Sequence, residues 1–193
     1  MTDAEIFAAI KADSQNAEYT SRNIPPIYQV NPQAEILIIS QAPSKKVQET
    51  QIFWNDQSGD RLRKWMNLSR EEFYHTDKIA VLPLDFYFPG KGLHGDLPPR
   101  RGFAEKWHAP LLELMPNIQL TLLIGAYAQK FYLQQRAQRN LTETVRHYQE
   151  YLPQYFPIVH PSPLNYGWFK KNPWFEEQVV PDLQQRVAKI MKN

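Results

Sequence analysis

Four short, almost uninterrupted apolar runs punctuate the chain: AEILIIS at 34–40, KIAVLPL at 78–84, IQLTLLIG at 118–125 and YFPIVH at 155–160. Each has the length of a strand. None alternates polar with apolar residues, so both faces of each run must be covered. The stretches between them carry helical spacing instead. Leu62, Trp65 and Met66 mark DRLRKWMNL, while Trp107, Leu111, Leu114 and Met115 mark FAEKWHAPLLELM. AYAQKFYLQQRA and the closing NPWFEEQVVPDLQQRVAKIMK continue the pattern. Strand and helix in alternation specify a parallel sheet, because parallel strands need long crossovers and helices supply them. The expected architecture is therefore α/β, a three-layer αβα sandwich around a central four-stranded parallel sheet. Residues 1–30 read as an N-terminal helix (Ile6, Ala9, Ile10) and a proline-bearing lead-in, and the whole of 1–193 as one domain.

Composition then removes several classes of function. No run of eighteen apolar residues exists to make a transmembrane helix, and MTDAEIFAAIKADSQ lacks the basic start and apolar block of a signal peptide. A cytoplasmic monomer with no membrane partner is expected. Cysteine is absent, which excludes disulfides, thiolate zinc sites and iron–sulfur clusters. His75, His94 and Asp96 have no tight ligand spacing, so neither a metal nor any other cofactor is expected.

In such a fold the loops after the strands gather along one edge of the sheet, where ligands bind. Here those loops are SQAPSKK, PLDFYFPGKGLHGDLPPRR, GAYAQ and HPSPLNYGWFKK. They hold paired bases, Lys45 with Lys46, Arg100 with Arg101 and Lys170 with Lys171, and also Lys91. Interleaved are Phe86, Tyr87, Phe88, Tyr166, Trp168 and Phe169. A chain of net charge +2 that collects cations and aromatics on one edge has the footprint of a phosphate backbone with bases that stack. SQAPS makes a rigid strand exit that aims Gln41 inward. Further on, Phe53 and Trp54 precede a turn, NDQSGD, from which Ser58 or Asp60 would cap the next helix.

Taken together, these loops resemble the uracil-DNA glycosylase superfamily over roughly residues 34 to 183. HPSPLN at 160–165 is similar to the HPSPLS-type loop of the main family, and SQAPS to the turn that reads GEAPG in the iron–sulfur branch. Residues 51–62 resemble that branch's G-x-PF-x-G-x-x-G-x-x-L segment, and LLIGAYAQ its LxLG-x-x-A. SGDRLR, GDLPPR, LTETVR and KNPWF match the cysteine-free bacterial subgroup of the superfamily.

The resemblance implies a DNA base-excision glycosylase acting on a nucleotide flipped out of the stack, and DNA as the partner. His160 would stabilise the departing base and Leu164 would wedge into the vacated stack. Trp54 or Phe53 would stack on the base, with Asp85 or Asp56 as further base contacts. Ser44, Ser162, Asn165, Lys45, Lys170, Lys171, Arg100 and Arg101 would hold the DNA backbone. Two family residues are missing. The water-activating carboxylate positions hold Ala42 and Gln41, leaving Gln41 to place a water without serving as a base. The base-reading asparagine falls near Leu82 or Pro83. Uracil, a deaminated purine and an oxidised or hydroxymethylated pyrimidine all stay open as substrates. So do two other classes of function, a non-catalytic reader of damaged or single-stranded nucleic acid and a small-molecule nucleoside hydrolase. Asp56 and Asp96 are the remaining candidate catalytic carboxylates.

Overall fold

The computed structural model describes residues 1–93 and 95–192; His94 lies outside the described residues. The four apolar runs form β1 (Ile36–Ile39), β2 (Ile79–Val81), β5 (Leu120–Ile124) and β6 (Tyr155–Ile158). A small hairpin, β3 (Lys91–Gly92) with β4 (Gly95–Asp96), stands between β2 and β5. The main sheet runs β2-β1-β5-β6 with every pair parallel. Ile36 lies opposite Ile79 on one side and Leu120 on the other, and Leu122 lies opposite Phe156.

Successive residues of each buried run serve opposite layers. Ile36 and Ile38 meet Leu62, Trp65, Leu183 and Val187 on one face. Leu37 and Ile39 meet Ile6, Ile10, Phe103 and Leu111 on the other. Each fully buried Ile or Leu stabilises by about 1.5–3 kcal/mol, which is why these runs tolerate no polar interruption. The lead-in closes the outer edge of the sheet, since Gln29 exchanges both backbone hydrogen bonds with Val81.

The strand order puts β2 on one side of β1 and β5 on the other. The connection therefore reverses between β1 and β5, and a crevice opens at their carboxyl ends. Helix Gln57–Met66 enters this region earlier than the sequence suggests. Its cap is Asp56, whose Oδ1 accepts the Gly59 N–H at 2.9 Å, not Ser58 or Asp60. The expected turn is thus the first turn of the helix, and Gly59 lies within it.

Candidate active site

A cleft of about 230 Å³ occupies the crevice. The turn after β1 contributes Ala42 and Ser44, the segment before helix Gln57–Met66 contributes Phe53, Trp54 and Asp56, and the hairpin contributes Lys91 and Asp96. His160, Ser162 and Leu164 close it from the loop after β6.

That loop is braced at nearly every peptide. The Ser162 backbone N–H donates to Nδ1 of His160 at 3.1 Å. Asn165 Nδ2 donates to the His160 carbonyl at 2.7 Å. Arg61 donates to the carbonyls of Pro161 (3.2 Å) and Ser162 (3.3 Å), with its guanidinium 4.9 Å above the Phe169 ring. A ring nitrogen that accepts carries no proton, so a neutral His160 holds its proton on Nε2. Burial pushes this histidine below the ordinary imidazole range, and the carboxylates of Asp56 and Asp96 pull weakly the other way. The result is a neutral donor at the cleft wall. Leu164 stands at the tip of the same loop, 86% exposed, its N–H donated to Ser162 Oγ at 3.2 Å.

The opposite wall is aromatic and equally fixed. Trp54 has φ of +53°, a strained conformation for a bulky residue. Buried Arg63 restrains it by donating to the Trp54 carbonyl at 3.0 Å. Arg63 also donates to Tyr74 Oη at 3.1 Å, and that hydroxyl donates to the Phe53 carbonyl at 2.6 Å. One arginine thereby sets both aromatic residues. Gly59 makes the approach possible: a Cβ there would lie 1.6 Å from the Trp54 carbonyl oxygen. The Trp54 ring sits 5.8 Å from that of His160, tilted by 37°.

The cleft thus brings together a largely buried aromatic wall, a histidine donor and, at its rim, an exposed leucine. The family model for the uracil DNA glycosylase superfamily matches residues 27–184. The chain belongs to that superfamily. Its function is accordingly of the DNA glycosylase type, and the lack of cysteine fits the cysteine-free subgroup. No described helix is long and apolar enough to cross a membrane, and no described group of three or more metal-ligating side chains exists.

Within this glycosylase fold the sequence expectations separate. His160, Trp54, Phe53, Asp56, Ser44, Ser162 and Leu164 converge on the cleft. Asp85 does not. It is wholly buried, with Arg100 Nε at 2.7 Å from one carboxylate oxygen and Nη2 at 2.8 Å from the other. It also accepts the N–H groups of Tyr87 and Arg100, both at 3.1 Å. Asp85 therefore reads no base, and Arg100 is spent on Asp85 and Asn16 and holds no phosphate.

Gln41 is diverted as well. Its Nε2 donates to the Leu97 carbonyl at 2.7 Å, so the side chain pins the hairpin. Asn165 braces the His160 peptide. Ser44 caps helix Lys45–Thr50 through the Val47 N–H. Lys45 starts that helix, 3.8 Å from Glu49 and away from the cleft. Arg101 borders a separate groove with Tyr127 and Lys130. Lys170 lies over the Tyr166 ring at 4.9 Å, and Lys171 is exposed. The expected stacking aromatics are mostly internal. Phe86 and Tyr87 are in the core, Trp168 and Phe169 pack on it, and only Tyr166 is freely exposed. Arg61 and Arg63 were not singled out from sequence. The signal was their i, i+2 placement after the glycine of SGDRLR, which sends two long donors to two different loops.

Proposed function

We propose that this chain is a monofunctional DNA base-excision glycosylase that hydrolyses the N-glycosidic bond of a flipped, damaged or deaminated nucleotide. The observation that carries the reading is the Ser162 N–H on His160 Nδ1, which leaves a neutral Nε2–H donor at the wall of an aromatic cleft.

The bond from C1′ to the base nitrogen breaks with its electron pair leaving on the base. Negative charge develops on a carbonyl oxygen of the base, where the His160 donor strengthens its hydrogen bond. Neutral imidazole suits this task, since it needs no proton transfer and no buried cation. The sugar becomes oxocarbenium-like, and a carboxylate is needed to hold the water and take its proton. Asp56 supports that role better than Gln41: one oxygen is fixed by Gly59 N–H and the other has no partner among the described residues. Water adds to C1′ and gives its proton to Asp56, and abasic DNA and the base anion are released. The base takes up a proton from solvent, and Asp56 returns one to solvent. Trp54 and Phe53 hold the base by stacking, and Leu164 fills the gap in the duplex. Ser44, Ser162, Lys170 and Lys171 supply the backbone contacts. Lys91, the lysine at the cleft, is engaged by Asp96 at 2.7 Å, which supports hydrolysis over an amine-mediated lyase step.

The test is single-turnover cleavage of oligonucleotides, single- and double-stranded, each with one uracil, hypoxanthine, xanthine, hydroxymethyluracil or ethenocytosine, followed by hot alkali. One lesion should be cut, and His160→Ala should slow it by about a hundredfold or more, the effect of one transition-state donor. Binding without any cleavage would instead make the chain a reader of damaged DNA. Cleavage of free nucleosides alone would make it a small-molecule hydrolase.

A further inference from the structure

The two most exposed leucines among the described residues are Leu93, at 98%, and Leu164, at 86%. They stand on loops that line the same cleft from opposite ends of the sheet. The Leu164 loop follows edge strand β6, and the Leu93 hairpin follows β2 at the other edge. The hairpin's Lys91, Gly95 and Asp96 and the Leu164 loop line one cleft of about 230 Å³, so the two leucines flank the same opening. An isolated exposed leucine means little. Two held outward on either bank of one cleft call for a common partner.

Both are held outward by braced turns. Leu93 sits at the tip of the β3–β4 hairpin, whose Lys91–Asp96 pair is joined across the strands at 2.7 Å. The Leu97 N–H donates to the Gly90 carbonyl at 2.9 Å and closes the hairpin's base. Gln41 then ties Leu97 to the turn after β1. A slack loop would fold its leucine back onto the protein; this one is anchored at three points below the tip. Leu97, also partly exposed, extends the apolar surface.

We propose that Leu93 is a second wedge for duplex DNA. It presses on the stack from the bank opposite Leu164, so that the space left by the extruded nucleotide is held open from two sides. The inference rests on the glycosylase reading only for where the gap arises; the contact itself is with the duplex. A single strand has no stack to hold apart, so the contribution of Leu93 is confined to double-stranded DNA.

The test measures binding and cleavage separately. A duplex carrying a stable abasic-site analogue with 2-aminopurine beside it reports unstacking by fluorescence, whether or not the protein cuts. Leu93→Ala should weaken duplex binding by about tenfold, the scale of one leucine side chain lost from an apolar contact. Affinity for the same sequence as a single strand should stay unchanged, and Leu93→Met should restore duplex binding. Thermal melting guards against misfolding. Duplex binding by Leu93→Ala equal to wild type overturns the proposal, as does a wild type that binds both DNA forms equally. If no lesion is cleaved while Leu93→Ala still loses duplex binding, the hydrolytic reading fails and the wedge stands.

Discussion

Nδ1 of His160 accepts the backbone N–H of Ser162 at 3.1 Å, so protonating that nitrogen would set two N–H groups against each other. Burial acts in the same direction and lowers the histidine's pKa. The neutral form is the competent one. Lowering pH converts it to imidazolium, so kcat/KM should fall on the acid side with a slope near one. Because the pKa is depressed, the plateau should already be reached below the ordinary histidine value of about 6.5. A pH–rate profile of the free enzyme checks this. Activity that instead decreased as pH rose through 6–7 would mean that imidazolium is the working form.

How much of this was legible beforehand varies with the kind of residue. The four strands were readable because an uninterrupted apolar run has nowhere to lie except between two layers. The contents of HPSPLN were readable because the loop is rigid and local. Asp85 was not, because polarity at a strand's exit does not say which way the chain turns next; its partner, Arg100, comes fifteen residues later and draws it into the opposite core. The FYF segment misled for the same reason, with Phe86 and Tyr87 following Asp85 inward. The helix start was not legible because Ser58 and Asp60 are equally good caps in isolation, whereas Asp56 is the cap. Only the approach of Gly59 to the Trp54 carbonyl selects the earlier start.

Asp56 has two duties that substitution can separate. As an N-cap it accepts the Gly59 N–H, which asparagine can do almost as well. As a water-holding carboxylate it needs charge and basicity, which asparagine lacks. Asp56→Asn should therefore slow cleavage by about a hundredfold or more while stability changes by less than about 0.5 kcal/mol. Asp56→Ala should lose the same activity and a further ~1 kcal/mol of stability. Urea denaturation beside single-turnover kinetics distinguishes the two; full activity in Asp56→Asn would pass the water to another group, with Asp96 next.

Gly59→Ala should reverse a usual sign. Within a helix, alanine is normally more stable than glycine by about 0.5–1 kcal/mol. Here the added Cβ would fall 1.6 Å from the Trp54 carbonyl oxygen, which Arg63 holds in place. Helix or aromatic wall must shift, at about 1–3 kcal/mol for an overpacked site. Tryptophan fluorescence should change with the denaturation midpoint, and lesion binding should weaken. A stabilised Gly59→Ala protein would show that the Phe53–Trp54 segment is not held as described.

Asp85 and Arg100 should matter to stability and not to chemistry. The carboxylate is fully buried and takes four hydrogen bonds, two from the guanidinium and two from backbone N–H groups. Removing Arg100 strands the wholly buried Asp85 carboxylate away from water, a loss of about 3–5 kcal/mol. Arg100→Met should be that destabilised. Asp85→Ala should be less so, because the Arg100 side chain is 26% exposed and keeps its bonds to Gln15 and Asn16. The double variant should be markedly less destabilised than the sum. Cleavage per folded molecule should remain close to wild type in all three, because neither side chain reaches the cleft. Denaturant titrations give the coupling energy, and burst amplitudes normalise activity to folded protein. A specific loss of one lesion in Asp85→Ala, with stability intact, would return Asp85 to the base-reading role that its burial now denies it.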